Sequence, residues 1–444
     1  MISDMLKVLV LFLGSLLLLA THAQAKQPQM LASLETTLSS SRHVLPHNAD
    51  DVLKRLDLRL DAYPRDHEAQ LLRGLVYFKS GKPKQALREL DDLLQQVPDF
   101  HLASLIRGDI LLSRVVALKN IGKNRILSQL GSNHVAQLKA LRLEVKLRLN
   151  SVRPRVGPFG HTQRRLPRQI LKLGKSVEYA VLVEKSTHRL YVYQRQKNQP
   201  PKLVQNYYVS TGKKKGNKYT RGDLRTPEGV YFITSWIPKK KLPDKYGVGA
   251  FPLNYPNELD RHQGKTGYGI WLHGTESNYY SRPPLDSEGC MVLTNIDFNS
   301  LKKELHPGVT PVVIVKKIDW LTPKVWRQER DKVLTDLERW RHDWESLNVT
   351  RYLSHYSNDF WSQGYDLKSW SKRKRRIARN KSYQKIQLSD ISLLAYPETV
   401  TGKKDIVVAR FQQDYQSSNY QSDVQKRLYL KRSKNNWKIM YEGR

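Results

Sequence analysis

The chain reads as a multidomain protein of three folded parts: an α-helical region to about residue 150, a mostly β domain over 176–317, and an α+β domain over 318–444. Three observations predict this. From Ala69 to about Leu149 apolar residues recur three and four apart, the period of a helix. Past Gly174 the period shortens to the alternation of short strands, and beyond Trp320 it becomes helical before turning to strands again. Between the first two parts, 151–175 holds Pro154, Pro158, Pro167, Gly157, Gly160 and several arginines, the composition of a linker.

At the N-terminus, Val8 to Ala20 is almost wholly apolar, follows Lys7, and leads to Ala23-Gln24-Ala25. That pattern predicts an export signal over 1–25 with a mature start at Lys26, and so a place in the periplasm or cell envelope. Retained, the same segment would be a membrane tether, although it is short of the about 20 apolar residues that a span needs. Within the helical part, 26–150, Leu72, Gly74, Tyr77, Gly81, Ala86, Leu90, Leu94 and Pro98 fall where a tetratricopeptide repeat places its packing residues. Gly108 follows Gly74 by 34 positions, the period of that repeat. The region resembles one good repeat and one degraded one, with a plain helical bundle as the alternative. Such helices imply a protein partner, since two repeats are few for an independent solenoid.

In the β part the alternating runs are 179–184, 189–193, 203–210, 229–234, 268–272 and 310–316. In the tail a helix over 324–346 leads through a basic helical stretch to runs over 405–415, 425–430 and 437–441. This order resembles the nuclear-transport-factor-2-like cone, a fold that implies a pocket and no particular function. With 76 Lys and Arg against 41 Asp and Glu, the formal charge is +35. For an exported chain that balance points to anionic envelope polymer or lipid headgroups, with Lys372 to Arg376 as the densest patch. Nucleic acid is not expected.

The chain has one cysteine, Cys290, so no internal disulfide can account for it. A thiol becomes a nucleophile when a base or positive field lowers its pKa from about 8.5. His273 follows the run 268–272, and the intervening loop, with Pro283-Pro284, can double back to bring it to Cys290. Gly289 frees the backbone beside the thiol, and N–H groups of this turn could stabilise an oxyanion. The chemistry indicated is acyl transfer through a thioester. No cofactor is called for, and a single thiol without a close His pair is a poor zinc site.

His273-Gly274 followed by Ser287-Glu-Gly289-Cys290 resembles the signature of the L,D-transpeptidase catalytic domain, also called YkuD. Arg225-Thr-Pro-Glu-Gly229 is similar to its Thr-Pro-x-Gly segment, and Tyr208-Val-Ser-Thr-Gly212 to its preceding strand and turn. The resemblance implies that Cys290 attacks the third residue of a peptidoglycan stem tetrapeptide and releases D-alanine. It implies His273 as general base and later acid, with the Gly274 carbonyl orienting the imidazole. Ser287 and Gly289 would shape the oxyanion pocket. The family arginine two residues past the cysteine is here Val292, and Arg282 on the connecting loop is the candidate replacement for substrate binding.

The three-part layout also resembles a subgroup related to cell-shape L,D-carboxypeptidases, in which water resolves the thioester. The expected function is therefore an L,D-transpeptidase passing the acyl group to an amine on a second stem or an envelope protein. L,D-carboxypeptidase activity is the alternative. Two readings from other classes are a wall-binding scaffold without catalysis and a polyanion binder whose affinity falls with salt and ignores the thiol.

Overall fold

The computed structural model describes residues 49–114, 132–152, 165–397 and 406–443. The expected signal segment and residues 153–164 of the expected linker lie outside them. The described residues form two compact units, divided after Arg153.

The first unit is helical: α1 (Ala49–Ala62), α2 (His67–Lys79), α3 (Pro83–Gln96), α4 (His101–Leu112) and α5 (Ser132–Val152). Asp66 caps α2 by accepting from the Ala69 N–H at 2.9 Å, and Pro83 opens α3 at the position where its missing N–H costs nothing. Leu72, Leu75, Ala86, Leu90 and Leu93 close the α2–α3 hairpin core. The two repeat glycines differ physically. A Cβ at Gly74 would meet Leu90 Cγ at 3.4 Å, whereas one at Gly108 would meet nothing within 4 Å. Gly74 thus sits at a close approach of α2 to α3, and Gly108 keeps the period without one. Arg148 of α5 is buried and pairs with Glu68 at 2.8 Å and Glu144 at 2.8 Å.

In the second unit a five-stranded sheet runs in the order Gln199–Tyr208, Arg189–Gln196, Tyr179–Glu184, Pro311–Val315, Gly229–Phe232. A four-stranded sheet, Met291–Val292, Trp271–His273, Gly249–Pro252 and Ile237–Pro238, packs on one of its faces. The tail is a seven-stranded sheet covered by α6 (Pro323–Glu345), α7 (Val349–Ser354) and α8 (Leu367–Arg379).

The central strands are apolar on both faces. Val181 and Val183 face the four-stranded sheet, while Ala180 and Leu182 face the tail, where they share one core with Leu394, Tyr396, Val408 and Tyr429. Polar ties seal this contact. Asn257 Nδ2 donates to Tyr396 Oη at 2.6 Å, and Glu258 accepts from Tyr429 Oη at 2.9 Å and pairs with Arg427. The β domain and the tail therefore form one body, not two tethered ones.

The linker expectation is corrected for residues 165–175. Ile170–Lys172 is the outermost strand of the tail sheet, pairing with Gln384–Ala395, and Leu166–Pro167 pairs with Trp320–Leu321. Leu166, Ile170, Leu171 and Leu173 are buried, an apolar set that the surrounding Pro, Gly and Arg content disguises. The basic run Lys372 to Arg376 lies on α8 with Lys372, Arg373, Arg375 and Arg376 exposed. Lys374 turns inward instead, 4.5 Å from the Trp370 ring and 5.0 Å from that of Trp344. It lines a cavity of about 590 Å³ in the cone, with Trp344, Tyr352 and Tyr415. Burial pulls the Lys374 ammonium down to about 8, opposed by Glu442. Burial would raise Glu442, but Lys426 and Lys374 overcome it and hold that carboxyl at about 2.

Candidate active site

The strand Trp271–His273 pairs in parallel with Met291–Val292, Leu272 opposite Met291 and His273 opposite Val292. Strand side chains alternate between faces. Leu272 and Met291 are fully buried in the core, so His273 and Val292 occupy the opposite face. Cys290, two residues before Val292, falls on that same face as the diagonal neighbour of His273. The loop between the two strands doubles back, and the parallel register is what places Cys290 beside the strand that ends at His273.

His273 is buried, and its Nδ1 lies 2.6 Å from the carbonyl oxygen of Gly274. A carbonyl only accepts, so Nδ1 carries the proton and Nε2 keeps its lone pair. Burial pulls the imidazole pKa down to about 4; the Gly274 carbonyl opposes this and the Arg282 charge adds to it. The Tyr246 ring meets the imidazole edge-on at 5.0 Å and restrains its plane. The Gly274 carbonyl is thus the hydrogen-bond partner of the imidazole Nδ1.

The half-buried Cys290 donates its thiol hydrogen to the Gly269 carbonyl at 3.3 Å, and its sulfur accepts from the Trp271 N–H. Burial pushes the thiol up to about 11, with the Trp271 N–H and Arg282 pulling the other way. The resting pair is consequently a neutral thiol and a neutral imidazole. In such a pair the imidazole is free to accept a proton, the arrangement that general-base activation of a thiol requires.

The turn before the thiol is held by Ser287, whose Oγ accepts from the Gly289 N–H at 3.1 Å and donates to the Cys290 carbonyl at 2.6 Å. The Gly289 N–H is therefore engaged in shaping the turn. Gly289 has φ +127°, and a Cβ there would stand 2.8 Å from the Arg225 carbonyl. Arg225 opens the Thr-Pro-x-Gly segment, so that segment forms the wall against which the turn packs. Thr226 Oγ1 accepts from the Gly212 N–H at 2.9 Å, and the Thr211 N–H donates to Pro284 at 2.9 Å. Three segments far apart in sequence thus converge around the thiol.

Arg282 Nε donates to Glu276 at 2.8 Å, and its Nη2 reaches the Lys245 carbonyl at 3.2 Å. Its charge acts on both Cys290 and His273. Val292 is buried, exchanges two backbone hydrogen bonds of 2.9 Å with Ser210, and brings no charge. Asn295 was not among the expected residues. Its Oδ1 accepts from the Thr275 N–H at 3.2 Å and the Val248 N–H at 3.3 Å, and its Nδ2 donates to the Thr275 carbonyl at 2.8 Å. It clamps the turn that carries the Gly274 carbonyl. Beside Thr294, the cap of the helix Asn295–Lys302, it reads in sequence as a helix start.

Residues 178–314 match the family described as the L,D-transpeptidase catalytic domain, and 332–443 match the Cds6 C-terminal NTF2-like domain. The candidate L,D-transpeptidase YafK of Escherichia coli (strain K12) is 26% identical over 200 residues, 44% of this chain and 67% of that protein. Among solved structures, Bd1075 of Bdellovibrio bacteriovorus superposes with a TM-score of 0.56 at 28% identity, covering 63% of this chain and 98% of that one. The helical cell shape determining protein Pgp2 from Campylobacter jejuni gives a TM-score of 0.52 at 28% identity, covering 62% and 95%. Those shares exceed what either matched domain could supply alone, so both take part in the likeness. The chain carries an L,D-transpeptidase catalytic domain joined through a common core to a Cds6-type NTF2-like domain.

Proposed function

We propose that this protein is a peptidoglycan cysteine acyltransferase, an L,D-transpeptidase with Cys290 as nucleophile and His273 as base. The observation that carries the reading is the shared face of the parallel strand pair, with His273 Nδ1 tied to Gly274 and Nε2 left to accept. As the stem tetrapeptide enters, the thiol leaves the Gly269 carbonyl and gives its proton to Nε2 while Sγ attacks the carbonyl of the third stem residue. Backbone N–H groups of the turn take the developing oxyanion. The tetrahedral intermediate collapses to a thioester, and the imidazolium returns its proton to the departing amine of D-alanine.

An amine acceptor, on a second stem or an envelope protein, then gives up its proton to His273 and attacks the thioester, which regenerates the thiol. Water in place of the amine gives the L,D-carboxypeptidase reaction by the same steps. The buried, uncharged Val292 favours keeping that second reading, because the position two past the thiol brings no cation and Arg282 and Lys245 act on the site instead. The chain is taken to act after export, in the periplasm or cell envelope.

Mass spectrometry of tetrapeptide muropeptides incubated with the protein, beside Cys290→Ala, tests this. Dimers joined between third residues mark transpeptidation, and tripeptide monomers mark hydrolysis. No product from either protein, with amine acceptors supplied, would leave a wall-binding scaffold.

A further inference from the structure

Beside the nucleophile stands an aromatic ring that the fold does not need for its core. Tyr268 is 69% exposed and precedes Gly269, whose carbonyl holds the Cys290 thiol. Single exposed apolar residues are ordinary. This one differs in how firmly it is held. The Arg221 guanidinium lies 5.0 Å from the ring centroid, and its Nη2 donates to the Tyr268 hydroxyl at 3.0 Å.

Both supporting loops are pinned. The Arg221 N–H donates to Thr266 Oγ1 at 3.2 Å, and the Thr266 N–H donates to the Tyr219 carbonyl at 2.9 Å. A Cβ on Gly267 (φ +100°) would approach the Arg221 Cα at 3.2 Å, so the loops touch through backbone. Beneath them Lys265 and Asp260 form a buried pair at 2.7 Å, and Lys218 and Asp223 another at 2.7 Å. Buried ion pairs are costly unless well formed, and these hold two surface loops in one arrangement. The outcome is an exposed, preorganised ring braced by a cation, one residue before the Gly269 carbonyl that meets the Cys290 thiol.

We propose that Tyr268 and Arg221 form a subsite for a pyranose ring of the glycan strand from which the stem hangs. The inference rests on the peptidoglycan reading above and extends it from the stem to the sugar. The C–H face of a pyranose stacks on an aromatic ring, and the guanidinium N–H groups not used by the tyrosine hydroxyl can meet sugar hydroxyl or N-acetyl oxygens. A stem peptide alone would leave the ring bare. The subsite therefore selects glycan-bearing donors over free peptides.

The experiment measures KM for a disaccharide-tetrapeptide and for the same tetrapeptide without sugar, using the wild type, Tyr268→Phe and Tyr268→Ala. The wild type should favour the disaccharide substrate by on the order of tenfold in KM, the size of one stacking contact. Tyr268→Phe keeps the preference and Tyr268→Ala brings the ratio to about one. In parallel, Cys290→Ala protein is titrated by NMR with both compounds, so binding is read without turnover. Equal affinity of Cys290→Ala for the two compounds overturns the subsite, as does a Tyr268→Ala defect of equal size on both. Absence of turnover with either substrate, alongside a sugar-dependent affinity, would sink the catalytic reading and leave the subsite standing.

Discussion

His273 and Cys290 lie diagonally on one face of a parallel strand pair whose other face, Leu272 against Met291, is part of the core. The placement of His273 relative to Cys290 is thereby coupled to core packing. A cavity behind the pair should misplace the site before it unfolds the domain. Met291→Ala is expected to cost about 2–5 kcal/mol of stability. It should also lower the acylation rate of the protein that remains folded. Denaturant melts and acylation by a thiol-reactive β-lactam, normalised to folded protein, check this. Acylation unchanged per folded molecule would show that the site does not depend on the core behind it.

The two perturbed pKa values define a pH signature. His273, held down to about 4, stays neutral and able to act as base until the pH falls near that value, so the acid limb of kcat/KM should lie close to pH 4 and not 6.5. Cys290, pushed up to about 11, should react slowly with iodoacetamide at neutral pH and faster as the pH rises toward that value. The same His273 shift affects stability. The unfolded imidazole binds protons more readily, so the contribution is full above about pH 6.5 and is lost as the pH falls through 4. An acid limb near 6.5, or fast alkylation at pH 7, would show a thiolate–imidazolium pair instead.

Arg282 acts on both groups in the same direction, lowering the pKa of the thiol and of the imidazole. Arg282→Ala should accordingly raise both. The acid limb would move to higher pH, and alkylation of Cys290 at a fixed alkaline pH would slow. Arg282→Lys, which keeps the charge but loses the two-nitrogen grip on Glu276 and Lys245, should keep most of the wild-type pH profile. Loss of activity without any shift in profile would assign Arg282 to substrate contact alone.

The central strands and the chemistry-bearing motif were legible for the same reason: alternation and residue identity are local. The run 179–184 is the strand Tyr179–Glu184, and Ser287, Gly289 and Cys290 share one hydrogen-bonded turn beside the strand that pairs with Trp271–His273. What could not be read depends on partners distant in sequence. Gln384–Ala395 was missed because Asp390, at φ +55°, and the irregularity between Ser389 and Ser392 break its alternation, while Asp390 Oδ1 accepts from the Ser176 N–H. Residues 165–175 look like linker until the strand they pair with is known. Ala180 and Leu182 are apolar because a second domain covers them, and no feature of residues 176–317 says which one.

Asn295 offers the sharpest separation of positioning from chemistry. It touches neither sulfur nor imidazole, yet it clamps Thr275, next to the Gly274 carbonyl that fixes the His273 tautomer, and Val248, next to the loop bearing Tyr246. Asn295→Ala removes three hydrogen bonds and should cost about 1–3 kcal/mol in stability. If the clamp serves the histidine, kcat should fall on the order of tenfold or more while KM changes little, because proton transfer depends on ring placement. The Nδ1–H resonance of His273, sharp and downfield when bonded to Gly274, should broaden or move in the variant. A stability loss with kcat and that resonance unchanged would reduce Asn295 to a structural tie. Asn295→Asp, which keeps the acceptor but not the donor to Thr275, should fall between the two.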